Sequence, residues 1–148
     1  MKKFQFTLQK LMDFREQELD RQKNTLSALR GELVKIEEAT ADLRRKVYAE
    51  STELERVCAQ GAQAYEISVR KRYIVTLQQE IHQKEAQAVQ KKAEIEAQLG
   101  VVVEATKDVK TLEKLEEKQL EEYKALETKE NEQFIEEFVS NASVRGGQ

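Results

Sequence analysis

The side chains with catalytic or metal-binding potential are few and far apart. His82 is the only histidine and Cys58 the only cysteine, 24 positions away from it. A zinc site or a nucleophile–base pair needs more donors than one imidazole and one thiol supply. Only Arg56 places positive charge near Cys58, so nothing in the sequence marks a reactive thiol, and next to Val57 it reads as a small helix-end filler. A single cysteine also forms no internal disulfide. His82 reads as a solvated or partner-facing residue. Gly61 and Gly100 stand alone, with no glycine-rich loop running into Lys-Ser/Thr, so the sequence predicts no nucleotide bound by the chain itself. The expectation is a non-enzyme with no metal and no cofactor. The basic stretch Arg70-Lys71-Arg72-Tyr73 admits two readings, a contact for phosphate or an acidic protein and a solvated helix flank. A net charge of −3 and a pI near 5.5 argue against nucleic acid as a partner, because backbone affinity needs a basic face.

The elements that carry these residues are marked by two long apolar stripes. The first runs Leu8, Met12, Arg15, Leu19, Gln22, Leu26, Leu29, Leu33, Ile36, Thr40, Leu43, Val47, Glu50, Leu54, Val57. The second runs Ile67, Arg70, Ile74, Leu77, Ile81, Lys84, Ala88, Lys91, Ile95, Gln98, Val102, Ala105, Val109, Leu112, Glu116, Gln119, Tyr123, Leu126. Steps of three and four average 3.5 residues, which keeps one narrow seam against a partner helix. Composition agrees: 36% charged and 6% aromatic residues are poor material for a compact core, while Lys, Glu, Gln, Ala and Leu favour helix, and there is no proline. The predicted fold class is all-α, a long antiparallel two-helix coiled-coil hairpin forming a single domain over 1–148.

The spacing predicts a helix over about 4–60, a connection at about 61–66, a helix over about 67–140 and a flexible tail at 141–148. Between Val57 and Tyr65 no residue is charged, and the apolar register slips there, around Gly61. Charge chooses the orientation. Residues 1–30 carry seven basic and four acidic side chains, whereas 108–137 carry five basic and eleven acidic. A hairpin sets these opposite ends together; a parallel homodimer would set each beside its own copy. The expected free state is therefore a monomer. A first helix of about 55 residues would be on the order of 80 Å long. The second helix is longer, and its overhang holds Phe134, Ile135 and Phe138 with no partner from the first arm. Phe4, Leu11 and Phe14 flank the first stripe, either as surface left for a partner or as packing against Leu115, Leu120 and the second helix. No apolar run reaches the ~18 residues of a membrane span, and Met1-Lys2-Lys3 opens no signal peptide, so a cytosolic protein without direct membrane insertion is expected.

Both ends of the chain carry more specific motifs. Phe4-Gln5-Phe6-Thr7-Leu8-Gln9-Lys10-Leu11-Met12-Asp13-Phe14-Arg15, followed by Glu18 and Leu26, resembles the opening of the FliJ family of flagellar export proteins. Lys110-Thr111-Leu112-Glu113-Lys114-Leu115-Glu116-Glu117-Lys118, then Glu121-Glu122-Tyr123, is similar to that family's carboxy-terminal Leu-Glu-x-Leu-x-x-Lys segment. Met12 stands where leucine is usual, and Glu116 where a basic residue is common. The resemblance implies a stalk, similar to the coiled-coil part of a rotary ATPase gamma subunit. Such a stalk enters the hexameric export ATPase FliI, promotes its assembly, engages the export-gate protein FlhA and handles export chaperones such as FlgN and FliT. Carried over by motif, the ATPase-facing residues are Phe4, Gln9, Leu11, Arg15, Glu18, Lys114 and Lys118. Arg70, Tyr73 and Leu77 are the candidates for the export gate. An injectisome stalk, a holdase-like export chaperone and a structural coiled-coil scaffold are the rival readings.

Overall fold

The computed structural model describes residues 2–146. Runs of Leu, Ala, Glu, Lys and Gln, uninterrupted by proline, form two helices: α1, Gln9–Ala59, and α2, Ala64–Gly146. The protein is all-α, with long helices in extensive mutual contact. Four residues separate them, and the geometry explains why the chain turns there. Ala62 donates its backbone N–H to Val57 O at 3.2 Å, and Gly61 donates to Cys58 O at 3.2 Å. This nested pair of bonds satisfies the last carbonyls of α1 and requires a left-handed residue at the penultimate donor. Gly61 occupies it with φ of +82°, the only positive φ among the described residues. Helix α2 therefore begins at Ala64, three residues before the apolar register resumes at Ile67.

Contacts divide the chain into two units, Met1–Asp20 with Val103–Gln148, and Arg21–Val102. The second of these contains the turn and is itself a helical hairpin. Every first-stripe residue it contains, from Gln22 to Val57, is buried or half-buried, as is every second-stripe residue from Ile67 to Val102. Leu26, Leu43, Val57 and Leu77 are its most buried apolar side chains. Burying each of these contributes roughly 1.5–3 kcal/mol. Pairing is antiparallel, since partners fall in number along α2 as they rise along α1. Gln98 Nε2 donates to the Gln22 side-chain and main-chain oxygens at 2.7 and 3.0 Å. Lys91 Nζ lies 2.6 Å from Glu32, Arg44 lies 2.8 Å from Glu85, and Arg70 lies 3.9 Å from Glu50. Gln22, Glu50, Arg70, Lys91 and Gln98, polar members of the stripe, thus pair with one another or with flanking charge, which fixes register more than it adds stability. Buried Thr40 satisfies its hydroxyl within its own helix, donating to Ile36 O at 2.8 Å.

In the other unit, the chain before α1 is not helical. Gln9 donates to Phe6 O at 3.2 Å, and the first helical bond runs from Met12 N to Leu8 O at 2.9 Å. The spacing that extends a helix back to about residue 4 is overtaken here by a different periodicity. Phe4 and Leu8 are half-buried and Phe6 is buried, while Gln5 and Thr7 are exposed. That is the two-residue alternation of an extended segment. An extended chain covers about 3.3 Å per residue against 1.5 Å in a helix, so these few residues reach Tyr123 on α2, which a helical start would leave uncovered. Helix α2 runs on through 141–146, where the sequence suggests a frayed tail; Gly147 and Gln148 lie outside the described residues.

Candidate partner-binding site

The amino-terminal strap, the start of α1 and the 103–123 stretch of α2 build one composite surface. Its core is Phe6, Met12 and Leu112, with Phe4, Leu8 and Leu115 packed against them. Met12 fills this core at 6% exposure, its flexible thioether packed among the aromatic and leucine side chains. The Phe4 and Tyr123 rings lie 5.6 Å apart at 56°, a tilted aromatic pair. Tyr123 Oη donates to Lys2 O, and Thr7 and Gln119 exchange bonds at 3.2 and 3.3 Å. Partial burial, followed by the negative charge of Glu127 and Glu130, raises the Tyr123 phenol above its ordinary value of 10.0. The hydroxyl accordingly stays protonated and able to donate to the strap.

Around this core stand the side chains that the sequence nominates. Gln9 is exposed and donates to Asp13 at 2.9 Å. Leu11 and Phe14 are 40% and 54% exposed, so apolar surface faces outward beside the core. Arg15 is half-buried, 3.8 Å from Asp108, with its guanidinium 5.9 Å from the Phe14 ring centroid. Glu18 is half-buried; Lys114 and Lys118 are exposed, one helical turn apart on α2, while Leu112 and Leu115 turn inward. All seven nominated residues thus fall in one unit. Phe4 is committed to packing within it, whereas Leu11 and Phe14 leave apolar area free. Phe6 is the residue that the stripe pattern misses, and the Phe-Gln-Phe-Thr-Leu alternation is the signal that finds it.

The hairpin unit holds the second candidate surface, beside the turn. Glu50, Tyr65, Glu66, Val69, Arg70 and Tyr73 line a shallow cleft. Tyr65 and Tyr73 are exposed, and Arg70 Nε lies buried 3.7 Å from Glu66 without a hydrogen bond. Leu77, nominated with Arg70 and Tyr73, does not line the cleft: at 3% exposure it is enclosed in the seam. The other sequence candidates settle simply. His82 is exposed, 3.7 Å from Glu85. Cys58 is exposed and fills no gap at the helix end, because the turn is closed by backbone bonds. Among the described residues, no group of three or more His, Cys, Asp or Glu side chains is placed to hold a metal. Among the described residues, no helix is long and apolar enough to cross a membrane.

Two long helices in extensive mutual contact make this an all-α, coiled-coil protein. The family described as Flagellar FliJ protein matches residues 4–148, and the chain belongs to it. It is therefore a non-catalytic component of flagellar export, and it interacts with components of the export apparatus. Comparisons with curated proteins and with solved structures give no match.

Proposed function

We propose that the chain is the stalk and regulator of the export ATPase, promoting ring assembly of a FliI-type hexamer in the cytoplasm, peripheral to the export apparatus at the membrane. The observation that carries this reading is the composite surface: Phe4, Gln9, Leu11, Arg15, Glu18, Lys114 and Lys118 come from both ends of the chain and are held in one unit. Outward apolar area at Leu11 and Phe14, with basic Arg15 beside Phe14 and Lys114 and Lys118 exposed in the same unit, offers anchors and charge to a ring interior. A ligand that binds one subunit conformation better than another biases the ring by that difference, so the stalk needs no chemistry of its own. The cleft by the turn is the surface offered to an FlhA-type gate, through Arg70 and Tyr73; Leu77, the third gate candidate, is enclosed in the seam and offers no contact surface. Export chaperones such as FlgN and FliT are the remaining partners. The hairpin folds on itself, which supports a monomer when free and speaks against a parallel scaffold. A holdase-like role is favoured by one observation, the exposed Phe134, Ile135 and Phe138.

Mixing the purified protein with the export ATPase, then measuring hexamer formation and hydrolysis, tests the reading. Both are expected to rise. Replacing Arg15 and Lys118 together by Ala should weaken the stimulation with helical signal retained. Unchanged assembly and hydrolysis on adding the parent protein would reject the stalk.

A further inference from the structure

Beyond Tyr123, nothing in its unit covers α2: every residue from Lys124 to Gly146 is exposed. Over this stretch the apolar side chains are not scattered. At 3.6 residues per turn, Phe134, Phe138, Ile135 and Val139 fall on one face about 140° wide with Ala142 among them. Phe134 and Phe138 are 69% and 67% exposed, Ile135 and Val139 each 58%. A two-helix seam is narrower than this, so the face fits a groove or a helix it can sink into. Its borders share one sign. Glu137 follows Glu130 along one edge, Glu132 and Glu136 lie along the other, and no Lys or Arg occurs from 130 to 144.

We infer that residues 130–144 of α2 are a docking face for a basic amphipathic helix, one with an apolar ridge bordered by Lys or Arg on both sides. Charge selects this occupant over the two obvious others. A second copy of the chain, in either direction, would bring acidic edge against acidic edge. An anionic lipid surface attracts helices whose polar borders are basic and repels this one. A basic partner helix gains charge pairs along both rims while it covers the Phe134–Phe138 ridge, so the ridge supplies affinity and the rims supply orientation and selectivity. The inference stands apart from the ATPase reading, and its test contains no ATPase.

The probe is a fluorescent synthetic helix of about 20 residues, with leucines at helical spacing for the ridge and lysines along both borders. Its anisotropy is followed as full-length protein is added, beside a control peptide with glutamates in place of the lysines. The lysine-bordered peptide should bind and the control should not. Phe134→Ser with Phe138→Ser, which leaves every charge in place, should weaken binding by about tenfold or more. Glu132→Gln, Glu136→Gln and Glu137→Gln together should weaken it by about tenfold at low salt and less at high salt. Sedimentation should show the parent protein as monomeric, and vesicles containing phosphatidylserine should not retain it. Equal binding of both peptides, insensitivity to the phenylalanine changes, dimerisation lost in the Phe138→Ser variant, or retention by the vesicles would each overturn the assignment.

Discussion

The three internal glycines of the hairpin unit make the same chemical change, Gly to Ala, act in opposite directions. Gly61 sits at φ of +82°, and a Cβ built there meets nothing within 4 Å, so the penalty is backbone strain without any clash. Holding an L-residue in the left-handed region costs roughly 1–2 kcal/mol. Reduced entropy of the unfolded chain returns about 0.4–1 kcal/mol. Gly61→Ala should therefore lower stability by about 1 kcal/mol, roughly a factor of five in the folded-to-unfolded ratio. Gly31 and Gly100 lie inside helices, and a Cβ there also meets nothing within 4 Å. Each change to Ala should raise stability by about 0.5–1 kcal/mol. Urea unfolding followed by far-ultraviolet circular dichroism reads all three. A Gly61→Ala protein as stable as the parent, or a Gly100→Ala protein less stable, would refute the placement of the turn.

Leu77→Ala removes a side chain that is 97% buried in effect, being 3% exposed, and should cost about 2–3 kcal/mol, the lower part of the core range because a two-helix seam can relax. Leu126→Ala, at 58% exposure, should stay within about 0.5 kcal/mol; equal shifts in thermal melts would contradict the seam. The Tyr123 phenol titrates above 10.0 in the folded chain, so its protonated form supports folding fully below that pH, and the support is lost as pH rises through the higher folded value. Alkaline loss of stability should be steeper in the parent than in Tyr123→Phe, and parallel curves would argue against the partial burial of the phenol beside Glu127 and Glu130.

Seam positions were legible because burial here follows one repeating rule. Every stripe residue from Leu8 to Val57 and from Ile67 to Tyr123 is buried or half-buried, including Arg15, Gln22, Glu50, Lys84 and Lys91, which periodicity placed there despite their polarity. Leu126 departs from the rule at 58% exposure, one step beyond Tyr123, the last stripe residue that is covered. The strap itself was hidden, since Phe4 and Leu8 fit a helical stripe as readily as an extended alternation, and only the tertiary contact with α2 separates the two. The overhang was legible as apolar residues without a partner, though not as a face bordered by one sign of charge. The ATPase-facing candidates came from terminal motifs and the export-gate candidates from the half of the chain near the turn, and burial then divides both sets: Leu77 is enclosed and Phe4 is packed, while Leu11, Lys114, Lys118 and Tyr73 stand outward.

Hydrogen–deuterium exchange of the protein, alone and with the export ATPase, probes whether both chain ends act as one contact surface. Slowed exchange over 4–18 and over 114–118 together is the expected result. Protection confined to the residues around Arg70 and Leu77, or absent from either end, would contradict the stalk account.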